Sequence, residues 1–318
     1  MGRLITTVIL TVTCIHAFSQ KGKILKSIET AMPIACIEVS PNYELIAVAD
    51  DTKDPLGFQE LIEEFSITIY DSHDFSVLTR LRGHDEAIQS IDFSPDSRKL
   101  VSSDNRGNIM VWDINSTSSL FTIPTADWVH SVKFSSSGNE LIAIQGYEKR
   151  ALIFDLQGHL IAELPAQKQV NDLEINFDKT EVYLGCHNEI QVWSLLTRRI
   201  TRKIPFSGLM CMTMNHNNSQ LGIGLSSGDV VILNTELEEQ AKLSGHFKPV
   251  LSIDFSIEDS ELISGSSDQT IRIWNLENGQ EIVQLMNEHA GSVQAVRFIS
   301  DNNFFATGGE NLTLKIWK

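Results

Sequence analysis

The sequence predicts an all-β chain in which seven similar four-stranded sheets close into a ring. Three observations carry this. Seven segments end alike: Ile69-Tyr70-Asp71, Val111-Trp112-Asp113, Ile153-Phe154-Asp155, Val192-Trp193-Ser194, Ile232-Leu233-Asn234, Ile273-Trp274-Asn275 and Ile316-Trp317-Lys318, their aromatic or leucine positions 42, 42, 39, 40, 41 and 43 residues apart. Each is preceded by alternating apolar residues, as in Ile271-Arg272-Ile273-Trp274, the period of a half-buried strand. Upstream in most units a second strand has an Ile/Val-x-Phe core: Ile91-Asp92-Phe93, Val132-Lys133-Phe134, Ile253-Asp254-Phe255 and Val296-Arg297-Phe298. Gly, Asn, Asp and Ser punctuate the gaps, so each unit reads as an antiparallel meander. Units of this size cannot bury their faces alone and must stack.

The chain starts with a short basic stretch, Met1-Gly2-Arg3, then an apolar run Leu4–Ile15, then Ala17-Phe18-Ser19 before Gln20. This is the organisation of a secretory signal peptide over residues 1–19, with cleavage after Ser19 or Gln20 and an exported product, periplasmic or extracellular. The apolar run is too short to span a bilayer. A formal charge of −16 would repel nucleic acid, since phosphate contacts need clustered Lys and Arg. Losing the leader removes Cys14 and leaves Cys36, Cys186 and Cys211, none in a CxxC. Buried thiols are expected, with a Cys186–Cys211 bridge open in an oxidising compartment. No metal or cofactor is indicated, and a monomer is expected.

Two Gly-His dipeptides, Gly83-His84 and Gly245-His246, recur with a third histidine at His289, and each lies 28 residues before a tryptophan, at Trp112, Trp274 and Trp317. With these spacings the sequence resembles the WD40-repeat proteins over essentially everything after the leader. The resemblance implies a seven-bladed β-propeller and a hydrogen-bonded tetrad in blade six of His246, Ser266, Asp268 and Trp274. It implies partial tetrads at His84 and Trp112, with Asp104 and Arg106 at the Ser and Asp positions, and at His289 and Trp317, with Gly309 and Asn311 there. Blades one, three, four and five lack the histidine, and one, three and five lack the tryptophan, so apolar packing is expected to hold those. Such histidines are structural, not catalytic.

The chain stops right after the third strand of unit seven. The missing strand is expected at Ile24–Ile28, whose apolar spacing matches the outer strands Val77–Leu81 and Leu160–Leu164. The 295 residues from Ile24 to Lys318, less a 15-residue insertion at 51–65, leave 280, or seven units of forty.

Little in the sequence points to catalysis. Gly224-Leu225-Ser226-Ser227-Gly228 fits GxSxG, but in a turn between strands and without the helix a nucleophile elbow needs. The polar position of the innermost strands reads Glu38, Asp92, Lys133, Glu174, Thr213, Asp254 and Arg297. These should face the channel as hydrated or paired charges; an alternative use is a small-ligand, glycan or hydrolytic site built on Glu38, Asp92, Glu174 and Asp254.

Two departures from the repeat remain, both on the face that WD40 proteins typically use for partners. Trp128 lies in the loop entering blade three, near His130, Gln89, Asn171 and Tyr147, either as an apolar anchor or packed under its own loop. In the insertion, Phe58, Leu61, Ile62 and Phe65 fall at helical spacing with acidic residues outside. The expected function is a secreted, non-catalytic platform that binds a protein or peptide through this top face.

Overall fold

The third strand of several units is apolar at consecutive positions, as in Ile109-Met110-Val111-Trp112 and Val230-Val231-Ile232-Leu233, and is buried along its middle. A strand buried on both faces needs a sheet packed on each side. The computed structural model describes residues 21–50, 65–146, 149–176, 180–300 and 304–318, where 28 strands form seven four-stranded antiparallel sheets. The stretch 1–19 expected to be a leader, the insertion residues Phe58, Leu61 and Ile62, and Tyr147 lie outside the described residues.

Apolar cores lie between adjacent blades. Between blades six and seven, Ile263 and Ile271 meet Val293, Phe298 and Trp317, and the Trp317 indole stacks on Phe305 at 5.7 Å. A Cβ on Gly308 of blade seven would sit 2.8 Å from the Ile34 side chain of blade one, so a glycine lets those sheets approach.

Six sheets are built from four consecutive strands, and the seventh closes the ring as expected. Its order is Ile24–Glu29, Thr313–Trp317, Phe304–Gly309 and Val293–Ser300. Ile24 pairs with Trp317 and Ile28 with Leu314. The Gly22 N–H donates to the Lys318 carbonyl at 2.7 Å, the Lys318 N–H donates to Lys23 at 2.9 Å, and Lys21 pairs with Glu261 of blade six.

All seven innermost strands carry a β-bulge after their first residue. The bulged residues are Ala35, Gln89, His130, Asn171, Met210, Leu251 and Gln294. Bulges re-aim side chains, and all of these except Asn171 line the upper end of the central channel.

Candidate functional site

In blade six the Trp274 indole N–H donates to Ser264 Oγ at 2.9 Å. Ser264 meets His246 Nε2 at 2.8 Å, and His246 Nδ1 lies 3.0 Å from Asp268. The serine of the tetrad is therefore Ser264, not Ser266. Ser266 points away and donates to the Lys248 and Pro249 carbonyls. Alternation puts both serines on one face, and Ser264 is the one whose depth along the strand brings it level with the Trp274 indole.

The same shift makes blade two complete, since Trp112 and His84 share Ser102 at 2.8 and 2.6 Å and His84 Nδ1 meets Asp104 at 2.7 Å. Arg106, placed by sequence at the acidic position, is on the surface with Asp85 and Glu86. In blade seven Thr307, not Gly309, joins Trp317 and His289 at 2.8 Å each, with Asn311 at 2.6 Å on the far nitrogen. Blade four is not held by apolar packing alone: Trp193 donates to Gln191, which donates to the Ala166 carbonyl.

The protonation pattern of blade six follows from the contacts. Burial holds His246 below its ordinary value, against the pull of Asp268. Burial works to raise Asp268, but hydrogen bonds from Thr270 and the nearby His246 leave it below the usual carboxylate range. A neutral imidazole carrying its proton on Nδ1 beside a carboxylate is the consistent arrangement, leaving Nε2 to accept from Ser264. This is a lock on fold geometry, with no open position for a substrate.

The top end of the channel is a funnel of about 420 Å³, walled by Gln89, Asn105, His130, Met210 and Gln294 among others. Trp128 stands beside it. Its ring is half-buried, edge-on to His130 at 5.5 Å, and seated on Gly146, where a Cβ would lie 1.7 Å from the indole nitrogen. Trp128 thus folds back on its own blade as a fixed, half-exposed plate instead of standing free. Burial lowers the His130 pKa, and its Nδ1 has no hydrogen-bond partner among the described residues. Phe65 is not part of a surface stripe. It starts the strand Phe65–Asp71 and packs against the core shared by blades one and two.

A second funnel of about 400 Å³ opens on the opposite face, walled by Tyr43, Asp92, Glu174, His216 and Asp254. Glu38, Lys133 and Arg297 line both funnels and form the waist between them. Lys133 pairs with Glu174 at 3.0 Å and Arg297 with Glu38 at 3.2 Å. Two of the four channel acids singled out by sequence are thereby neutralised. Among the described residues no group of three or more His, Cys, Asp and Glu side chains is arranged to hold a metal ion.

Comparison with known proteins agrees with this geometry. The family WD domain, G-beta repeat matches residues 75–113, 237–275 and 280–318, the three stretches that carry the histidine–tryptophan pairs. The crystal structure of the Myceliophteria thermophila Cps50 (Swd1) beta-propeller domain superposes with a TM-score of 0.81 over 93% of this chain and 98% of that one, at 14% identity. The chain is a WD40-repeat protein. Its curated relatives include guanine nucleotide-binding protein subunit beta of Oryza sativa subsp. japonica, 23% identical over 239 residues. Subunit beta-1 of Nicotiana tabacum is 25% identical over 240 residues. Each match covers 74% of this chain but 57% of the relative, so the chain spans little more than half their length. Jouberin of Mus musculus is 23% identical over 274 residues, 78% of this chain and 25% of that protein.

This WD40 propeller also has surface features that the repeat pattern alone did not reveal. Met210, Phe247 and Met286 are 40%, 71% and 57% exposed, and all three sit where the chain enters or crosses the top face. Met210 is a bulge residue; Phe247 and Met286 lie in the loops that follow an outer strand. Cys186 and Cys211 do not form the bridge left open by sequence. Both are free, and burial pushes each thiol up to about 12. Ser226 of the GxSxG stretch lies in a plain turn between two strands, and no helix occurs among the described residues. No helix there is long and apolar enough to cross a membrane.

Proposed function

We propose that this WD40 propeller is exported and works as a rigid, non-catalytic platform that binds another protein through its top face. The observation that carries the reading is the set of exposed apolar side chains on the top face. Phe247, Met210 and Met286 from blades five to seven stand exposed there, and the seated Trp128 of blade three lies on the same face. Large apolar residues clustered on one face of a monomer mark an interaction site more often than scattered ones do, and a pre-positioned tryptophan gives contact area at little entropic cost. The matched relatives named as beta subunits are by that name parts of larger assemblies, which supports a scaffold role. Export rests on the leader organisation of residues 1–19.

The test compares capture of partners from the native extract by mature wild-type protein, by Phe247→Ser with Met286→Ser, and by Leu78→Ser on the outer wall. The reading expects the top-face variant to lose its partner and the outer-wall variant to keep it. A correctly folded top-face variant that retains the partner at wild-type affinity overturns it. Met1 found intact on the protein in its own host would overturn export separately.

A further inference from the structure

The waist of the channel holds more negative charge than its cations can balance. Five carboxyl groups from four blades surround it, Glu38, Asp92, Asp172, Glu174 and Asp254, against Lys133 and Arg297. Each cation is engaged by a glutamate: both Glu174 oxygens lie 3.0–3.1 Å from Lys133, and Glu38 is 3.2 Å from Arg297. Among the described residues the three aspartates have no cation within ion-pair distance. Each instead accepts a main-chain N–H from the next blade. Asp92 bonds Phe134, Asp172 bonds Met212 and Asp254 bonds Phe298, at 2.7 Å in every case. They therefore tie blade two to three, four to five and six to seven.

Buried and half-buried carboxylates crowded around a waist that holds only two cations cannot all ionise cheaply, and the excess charge must be removed by protons or by a bound cation. The absence of a metal-holding cluster among the described residues favours protons. We propose that Asp92, Asp172 and Asp254 form an acid-set clasp: protonated, they hold three blade junctions closed around a balanced waist, and ionised, they force the inner strands apart. A protonated carboxyl keeps one oxygen able to accept the N–H, so the clip survives protonation.

The surroundings agree. Burial pushes Asp92 up to about 8, opposed by Lys133 and assisted by Glu38 and Glu174. Burial lifts Asp172 to about 6, again opposed by Lys133 and assisted by Glu174, with the Cys211 thiol also nearby. Asp254 rises to about 6 by burial, opposed by Arg297 and His216 and assisted by Glu38, with Tyr43 also close. His216 itself is raised by Asp259 despite its burial. The folded ring thus binds protons that the unfolded chain releases. The clasp's contribution is complete near the ordinary aspartate value and drains as pH rises through about 6 and then about 8.

The test measures proton exchange on thermal unfolding of the mature chain near pH 7, from calorimetric enthalpies in buffers of different ionisation heat. Wild type is expected to release about one proton more than Asp92→Asn, whose amide keeps the N–H acceptor. The variant should also lose less melting temperature between pH 6 and 8. Should Asp92→Asn not fold, Asp254→Asn compared near pH 5 gives the same reading from another junction. Equal proton release by wild type and variant overturns the proposal. So does calcium or potassium chloride raising the melting temperature of wild type but not of the variant, which would assign the balance to a bound cation.

Discussion

Replacing Ser264 by alanine removes a single oxygen that two fully buried groups share. The Trp274 indole N–H loses its acceptor and His246 Nε2 loses its donor, in surroundings where Ser264 is 0%, Trp274 2% and His246 6% exposed. Water cannot reach either group without repacking the core between blades five and six. Each buried polar group left without a partner costs about 1–3 kcal/mol, so the two together should cost about 2–6 kcal/mol. Ser266→Ala removes bonds to two loop carbonyls, one of which, Pro249, also accepts from the Ser267 N–H, and takes the acceptor from one main-chain donor, the Asp268 N–H. A single neutral hydrogen bond contributes about 1 kcal/mol. A urea titration should show a lower midpoint for Ser264→Ala than for Ser266→Ala, with unchanged slope. Equal losses, or a larger loss at Ser266, would refute the tetrad as drawn.

The remaining predictions concern closure, the top face and pH. A chain starting at Ala31 lacks the outer strand of blade seven and exposes the edge of Thr313–Trp317, so it should melt lower and self-associate in sedimentation relative to a chain starting at Gln20. Gly146→Ala should expel the Trp128 ring from its seat, shifting tryptophan fluorescence to the red while costing about 1–3 kcal/mol as an overpacked site. His246 and His289 are held below their ordinary value mainly by burial. The unfolded chain therefore binds more protons, and the stability these two contribute is complete above about pH 6.5 and lost as pH falls below it. Because the channel aspartates act in the opposite sense over the same range, the check is a difference: the melting-temperature gap between wild type and His289→Gln should narrow from pH 7 to pH 5, and a gap that stays constant or widens would contradict this.

The ring was legible in the sequence because the repeat is carried by its most constrained positions. The third-strand tryptophans and the 28-residue spacing from histidine to tryptophan each depend on a buried contact that tolerates little change. The strand Ile24–Ile28 was legible for a related reason, since its apolar spacing matches that of the outer strands Val77–Leu81 and Leu160–Leu164. The site was read less well. Ser264 and Ser266 are two residues apart on the same face, so alternation could not decide between them; the spacing of ten residues from Ser102, Ser264 and Thr307 to their tryptophans is the signal that could have. Phe65 fits a helical stripe as well as a strand start, because a short apolar run is ambiguous between the two periods. The top-face residues Met210, Phe247 and Met286 belong to loops and a bulge that the repeat does not specify. The clips made by Asp92, Asp172 and Asp254 depend on how neighbouring blades sit, which local patterns do not encode.

The most direct test of the platform reading is a photo-crosslinking residue placed at Phe247 and, in a second protein, at Leu78, each expressed in the native host and analysed by mass spectrometry. Phe247 is 71% exposed on the top face and Leu78 is 53% exposed on the outer wall, so both are reachable. The account predicts one dominant protein adduct from position 247, absent from position 78. An adduct from position 78 alone, or the same adducts from both, would contradict it.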